Sequence, residues 1–501
     1  MKKILLALLF CPMLMFSQWG IIGSPIDGET VGDRSGQTIA LSSNGKVLAI
    51  AAPFNDGNGS NSGHIRVYEN QSGVWRQIGD DIDGAITMDY SGGFDLLNNY
   101  DAAPLSLNSD GSVIAIGAPH SFNSGPGAES GRVKVYANVS GAWVQAGQDI
   151  LGGGAKHWFG FSVDLNSEGN ILAVGARQDP FNSSFGGYAR VYELISGIWT
   201  PLGGLLSSEA MQDGFGASIS INSDGNIVAV GAPYNDGNGN GSGHVRVFEL
   251  ISNIWTQVGV DIDGEAVGDA SGSSISINEQ GDVIAIGARA NGIASTGHVR
   301  VYELISGIWM QVGADINGSA QGDQLGFSVS LSNSGNRVAI GAKARDINGS
   351  NSGQTIVFDN ISGSWTQAFT EINGVTAGEE FGYSVGISGD GYTIASGAPK
   401  NSTNGTDAGQ VRVYRDQTSL GVNDSNLIER HMSLYPNPIT SYFEITSNSI
   451  LSNIEIYSIE GQIIKKLKTQ NRYDISDLSS GIYFVKIQTN NSEITKKIVK
   501  Q

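Results

Sequence analysis

FGASISINSDGNIVAVGAPYNDGNGNGSGHVRVFELISNIWTQVGVDIDGEAVGD, residues 215–269, holds four short strand-like runs in one stretch. Ser218 to Ile221 alternates in polarity, and Asn222-Ser-Asp224-Gly225 turns the chain back. Ile227 to Val230 is a second run, followed by a long polar loop. Val245 to Glu249 is a third, Ser252-Asn253 a turn, and Trp255 to Val258 a fourth. Asn-x-Asp-Gly between two alternating runs is a strong hairpin signal.

The unit repeats. Its Ala-x-Gly-Ala core recurs at Ala115, Ala173, Ala229, Ala285, Ala339 and Ala395, with Ala49-Ile50-Ala51-Ala52 as the first copy. Seven copies of four antiparallel strands predict an all-β fold, a seven-bladed β-propeller. Six copies carry a fourth-strand tryptophan, at Trp75, Trp143, Trp199, Trp255, Trp309 and Trp365. The seventh copy lacks it. The run from Trp19 to Asp33 matches Trp255 to Asp269 without a gap, so the N-terminal strand is expected to complete the last blade. Closing a ring this way leaves no open sheet edge.

Four segments are expected. Residues 1–18 read as a signal peptide, with Lys2 and Lys3 before an apolar run too short to span a bilayer. Residues 19–417 are the propeller, 418–431 a linker, and 432–501 a small β-sandwich. Cys11 is the only cysteine, so cleavage would leave no thiol or disulfide chemistry. No other segment could cross a membrane as a helix. The formal net charge is −19, although the signal and the tail are each slightly basic, so the acidity belongs to the repeats. That disfavours nucleic acid and anionic membranes as partners of the acidic surface as a whole.

Phe-Gly, Asp-Gly-Asn and Val-Gly-Ala-Pro resemble the FG-GAP repeat of integrin-α-like propellers, over about Trp19 to Tyr414. Members that bind calcium use an Asp-rich loop between the first two strands. Here that loop is Asn222-Ser-Asp224-Gly225-Asn226, Asn333-Ser-Gly335 or Glu279-Gln-Gly281, too poor in carboxylates for a calcium site. No cofactor is therefore expected, with calcium in the degenerate loop kept as the alternative. The tail is similar to the type A sorting domain of the type IX secretion system. The matching elements are Tyr435-Pro-Asn-Pro438, Ile454 to Gly461, Ile475 to Leu478, Gly481 to Val485 and the basic terminus. This resemblance implies handling by the type IX machinery of a gliding-type Bacteroidota bacterium, and a protein that is secreted or held at the cell surface.

Catalytic motifs are missing: there is no Gly-x-Ser-x-Gly elbow, zinc-protease helix or Walker loop. His64, His244 and His298 fill one repeat position, which reads as structural. Asp33, Asp89, Asp269, Asp323 and Glu379 lie five residues past a blade-end glycine and Asp213 five past Ser208, with His157 at the blade-three equivalent. They predict a ring of carboxylates on one face, either binding a cation or basic ligand or capping their own turns. The loop entering blade two is long and carries Tyr90 and Phe94, and the next loop carries His157-Trp158. These aromatics either stack on a ligand or pack over the channel. The expected role is a non-catalytic binding or adhesion module for an extracellular glycan or protein. The alternatives are a glycan-active enzyme and a structural spacer.

Overall fold

The computed structural model describes residues 19–93, 104–121, 127–178, 186–417, 432–435, 439–447, 451–458, 462–468, 472–489 and 493–500. The signal segment, Phe94 and the linker lie outside these residues. The chain divides into two compact units, Met1–Asp416 and Gln417–Gln501.

The first unit contains seven antiparallel sheets among the described residues. The fourth is typical: Ser218–Ile221, Ile227–Ala232, His244–Ile251 and Ile254–Gln257 in that order, with Ile262–Asp263 as a short fifth strand beside the third. Its second strand, IVAVGA, is apolar on both faces and almost wholly buried, because sheets lie against both sides. The third sheet instead runs its last strand on from Ile198 to Ser207. The seventh sheet consists of Ser384–Ile387, Thr393–Ala398 and Gln410–Asp416, with Trp19–Ile21 on its outer side. Trp19 pairs with Asp416, and Ile26 with Val411.

The repeated glycines follow from how neighbouring sheets touch. Gly272 holds φ +82°, and its carbonyl comes so close to Gly231 of the preceding sheet that a Cβ there would lie 2.2 Å from the oxygen. Only glycine fits at both positions. The tryptophans tie the same joints further out. Trp255 Nε1 donates to Leu202 O at 2.9 Å, and Trp309 Nε1 to Val258 O at 3.0 Å, each across to the sheet before.

The turns between first and second strands are joined by backbone hydrogen bonds. Ser43 N donates to Ser109 O, Ser109 to Ser167, Ser167 to Ser223, Ser223 to Glu279, Glu279 to Asn333, Asn333 to Gly389, and Gly389 back to Ser43 at 2.7 Å. The second unit packs Ile439, Phe443, Ile454, Ile456, Tyr473, Val485, Ile487 and Ile498 between a three-stranded and a four-stranded sheet.

Candidate functional site

The repeated acids are buried, and each is turned toward its own loop. Asp33 accepts from Thr30 N and Oγ1 and from Asn55 Nδ2. Asp213 accepts from Ala210 N and Asn235 Nδ2, and Asp269 from Ala266 N. Asp323 adds Arg345 to its turn at 2.7 Å. Asp89 pairs with Arg132, and Glu379 with Arg412 at 2.6 Å. Five of the six expose 3% or less, and Asp323 4%. A carboxylate surrounded by donors in this way fixes the loop that enters the next sheet. Of the two roles expected for these acids, their hydrogen bonds match the capping of their own turns.

The aromatics of the second and third loops do come together. Tyr90 meets Phe54 edge-on at 5.7 Å and His120 at 6.4 Å, and His120 meets Trp158 at 4.9 Å. Trp158 is only 5% exposed. One side stacks toward Phe161, and its Nε1 donates to Glu129 at 3.1 Å. It is a packed member of a row, not an open stacking platform. His157 stands apart against Tyr188, with burial pushing its pKa down.

Cations are laid along the same loops. The Arg34 guanidinium sits 4.8 Å over Phe54. Arg177 lies against Trp158, Phe161 and Tyr234, at 5.1–5.9 Å from their centroids. Lys343 Nζ is 3.8 Å over Phe327 and 4.7 Å over Tyr383, with Arg289 also over Phe327. Arg34, Gln37, Lys343, Glu380, Tyr383, Pro399 and Lys400, from sheets six, seven and one, line a single cavity. Lys400 pairs with Glu380 at 2.8 Å.

A family model for the FG-GAP repeat matches residues 205–248, and one for the secretion system C-terminal sorting domain matches residues 433–501. The chain carries an FG-GAP repeat and a secretion sorting tail. It is 38% identical over 92 residues to integrin alpha-6 of Gallus gallus, a match covering 17% of this chain and 8% of that relative. Among solved structures it is similar to a protein assigned as a 6-phosphogluconolactonase from Bacteroides uniformis, at 11% identity and TM-score 0.46 over 68% of this chain and 85% of that one. It is also similar to the periplasmic gluconolactonase of Pseudomonas aeruginosa, at 14% identity and TM-score 0.45 over 67% and 85%. The sorting tail marks the protein for the type IX machinery and for secretion or cell-surface display. Among the described residues no helix is long and apolar enough to cross a membrane.

In the FG-GAP unit the cations were missed from sequence, yet a signal existed. Where Gly-Ala-Pro loses its proline, the replacement is basic in every case: Arg177, Arg289 and Lys343.

Among the described residues, the first strands of these seven sheets hold a single ionisable side chain. Ser106, Ser220, Ser276 and Ser330 occupy one repeat position, and the third sheet has Asp164 there. Asp164 accepts from Ser106 Oγ and Ile221 N, both at 2.8 Å, and from Ser220 Oγ at 3.3 Å. Burial outweighs these bonds and pushes its pKa up to about 6. A raised carboxyl pKa means the folded state binds the proton more tightly than the unfolded chain. That contribution is full below the ordinary value and is lost as pH rises through 6. Above it the ionised group costs up to about 3 kcal/mol. Asp164→Asn is therefore expected to raise the urea midpoint at pH 8 and leave it unchanged near pH 4. An equal offset at both pH values would refute this account.

Proposed function

We propose that the first unit is a seven-bladed β-propeller, residues 19–417, closed by its N-terminal strand. The sorting domain, residues 432–501, follows a linker at 418–431. The circle of axial hydrogen bonds supports this reading, as does the pairing of Trp19–Ile21 with Gln410–Asp416. Residues 1–18 act as the export signal.

On this scaffold the protein works as a non-catalytic binding module, an adhesin for an anionic extracellular polymer, acidic glycans first. The observation that carries the reading is the set Arg34, Lys343, Lys400 and Tyr383 around one cavity in a chain of net charge −19. Half-buried cations beside aromatic rings suit a sugar face that bears carboxylate or sulfate. Tyr90 extends the same surface through Phe54 and Arg34. The buried acids and Trp158 shape this surface without contacting the ligand.

The full chain, labelled and applied to an array of acidic and neutral glycans and matrix proteins, is expected to retain acidic glycans. Arg34→Ala/Lys343→Ala should lower that retention at least tenfold with an unchanged melting temperature. Retention of only neutral or basic ligands, or none at all, would sink the assignment. Retention of acidic matrix proteins alone would replace glycan with protein as the ligand class.

A further inference from the structure

Three histidines of one repeat position each face a pair of carboxylates. His64, His244 and His298 open the third strands of sheets one, four and five. His64 Nδ1 lies 3.9 Å from Glu29 Oε2 and 3.6 Å from Asp81 Oδ2. His244 Nδ1 lies 3.7 Å from Asp261 Oδ2 and 4.0 Å from Asp263 Oδ1, and His298 Nδ1 lies 3.9 Å from Glu265 Oε2. In each group one imidazole nitrogen, one Glu oxygen and one Asp oxygen lie within 4.8 Å of one another: Glu29-His64-Asp81, Glu209-His244-Asp261 and Glu265-His298-Asp315.

These nitrogen–oxygen spacings, 3.6–4.0 Å, are too long for hydrogen bonds and somewhat wider than those of atoms sharing one ion, so binding would draw the groups inward. A hydrogen bond would bring nitrogen and oxygen to roughly 2.7–3.2 Å. Donors at about 2.0–2.1 Å from a tetrahedral zinc stand roughly 3.4 Å apart. Where the same repeat position is glutamine, the contact closes. Gln354 Nε2 reaches Asn373 Oδ1 at 2.7 Å, and Gln410 Nε2 reaches Asp27 Oδ1 at 2.6 Å. The histidine side chains are 96–99% buried, so they cannot exchange this loss for water. Nε2 of His244 and of His298 has no hydrogen-bond partner among the described residues. An imidazole buried with neither nitrogen bonded carries a desolvation cost that an ion on Nδ1 offsets.

The residues also occur together. The glutamate four positions before each loop acid is present at Glu29, Glu209 and Glu265, the three joints that lead into histidine-bearing sheets. The other four joints have Ala85, Gly153, Ser319 and Val375, and their sheets have Arg132, Tyr188, Gln354 and Gln410 in place of histidine. An arginine two residues after each histidine lies against these carboxylates. Arg66 pairs with Glu29 and with both oxygens of Asp81, while Arg246 and Arg300 lie 3.7 Å from Asp261 and Glu265. The glutamates are 39–47% exposed, which leaves each group an open side toward solvent.

We infer that these three groups are binding sites for a divalent transition cation of the zinc type, each supplying one imidazole and two carboxylates at the joint between adjacent sheets. Mixed nitrogen and oxygen donors favour zinc over calcium or magnesium. The open side supplies the remaining coordination position to water or to a ligand.

The full chain, stripped with chelator and titrated calorimetrically with Zn²⁺, is expected to take up three equivalents and to melt at a higher temperature when loaded. His64→Gln, His244→Gln and His298→Gln should each remove one equivalent, and the triple variant all three. Glutamine is the residue that other sheets already accommodate at this position. A second set, Glu29→Gln/Glu209→Gln/Glu265→Gln, changes only partly exposed side chains and should weaken uptake at least tenfold. Absence of saturable uptake would overturn the inference, as would full uptake by either triple variant, which would point to the acidic surface instead.

Discussion

Deletion of Trp19–Asp27 is expected to leave the first unit unable to hold a compact monomer, the largest effect of any short change in the chain. The segment supplies the outer strand of the seventh sheet through pairs from Trp19↔Asp416 to Asp27↔Gln410. Without it, Gln410–Asp416 becomes an exposed edge with unpaired N–H and C=O groups, a template for aggregation. The loss reaches the first sheet too, because Trp75 Nε1 donates to Ile22 O at 3.1 Å. Trp19 itself is 7% exposed, meets Phe369 at 5.8 Å and sits beside Arg337. Trp19→Ala alone should cost about 3–5 kcal/mol. Size exclusion and a urea melt check both variants. A deletion variant that elutes as a monomer with an unchanged midpoint would remove the N-terminal strand from the account of stability.

Glu379→Ala should be the most destabilising change among the six loop acids. Its carboxylate is fully buried and takes donors from Val375 N, Thr376 Oγ1, Asn401 Nδ2 and Arg412. Truncation leaves Arg412, whose side chain is 4% exposed, as an uncompensated buried cation. Breaking such a pair from one side costs about 3–5 kcal/mol. Asp269→Ala removes an acid whose carboxylate bond is to the Ala266 amide, and about 1 kcal/mol is expected. The paired variant Glu379→Gln/Arg412→Met should be milder than Glu379→Ala, because it removes both charges together. Denaturant midpoints for the three proteins give the order. Equal losses for Glu379→Ala and Asp269→Ala would show that the arginine adds nothing to the turn.

The legible parts of this chain are those carried by neighbours in sequence. Alternation in Ser218–Ile221 and the apolar run Ile227–Ala232 mark strands because side-chain direction along a strand has period two. Asn222 was readable as a turn residue because its Oδ1 accepts from Asn226 N and Ile227 N, four and five residues on. The sorting tail was readable because several motifs occur in order within one stretch. At the candidate site the reading was weaker. Tyr90 and Trp158 were singled out and do share one row, but Trp158 is enclosed by Phe161, Arg177 and His120. Enclosure depends on residues from three loops, and no local pattern encodes it.

The sequence by itself therefore determined the strands, the turns, the repeat that orders them and the export signal of the tail, since each rests on contacts within about 60 residues. Only the tertiary structure decided what each polar side chain of the repeat faces. His64 meets Glu29 and Asp81, Asp164 meets Ser106 and Ser220, and Arg412 meets Glu379, each across a joint between strands or sheets. The repeat presents the same residue types at every joint. Which of them are buried, paired or left open depends on the residue opposite, and proximity across a joint is a property of the packed sheets, not of either strand.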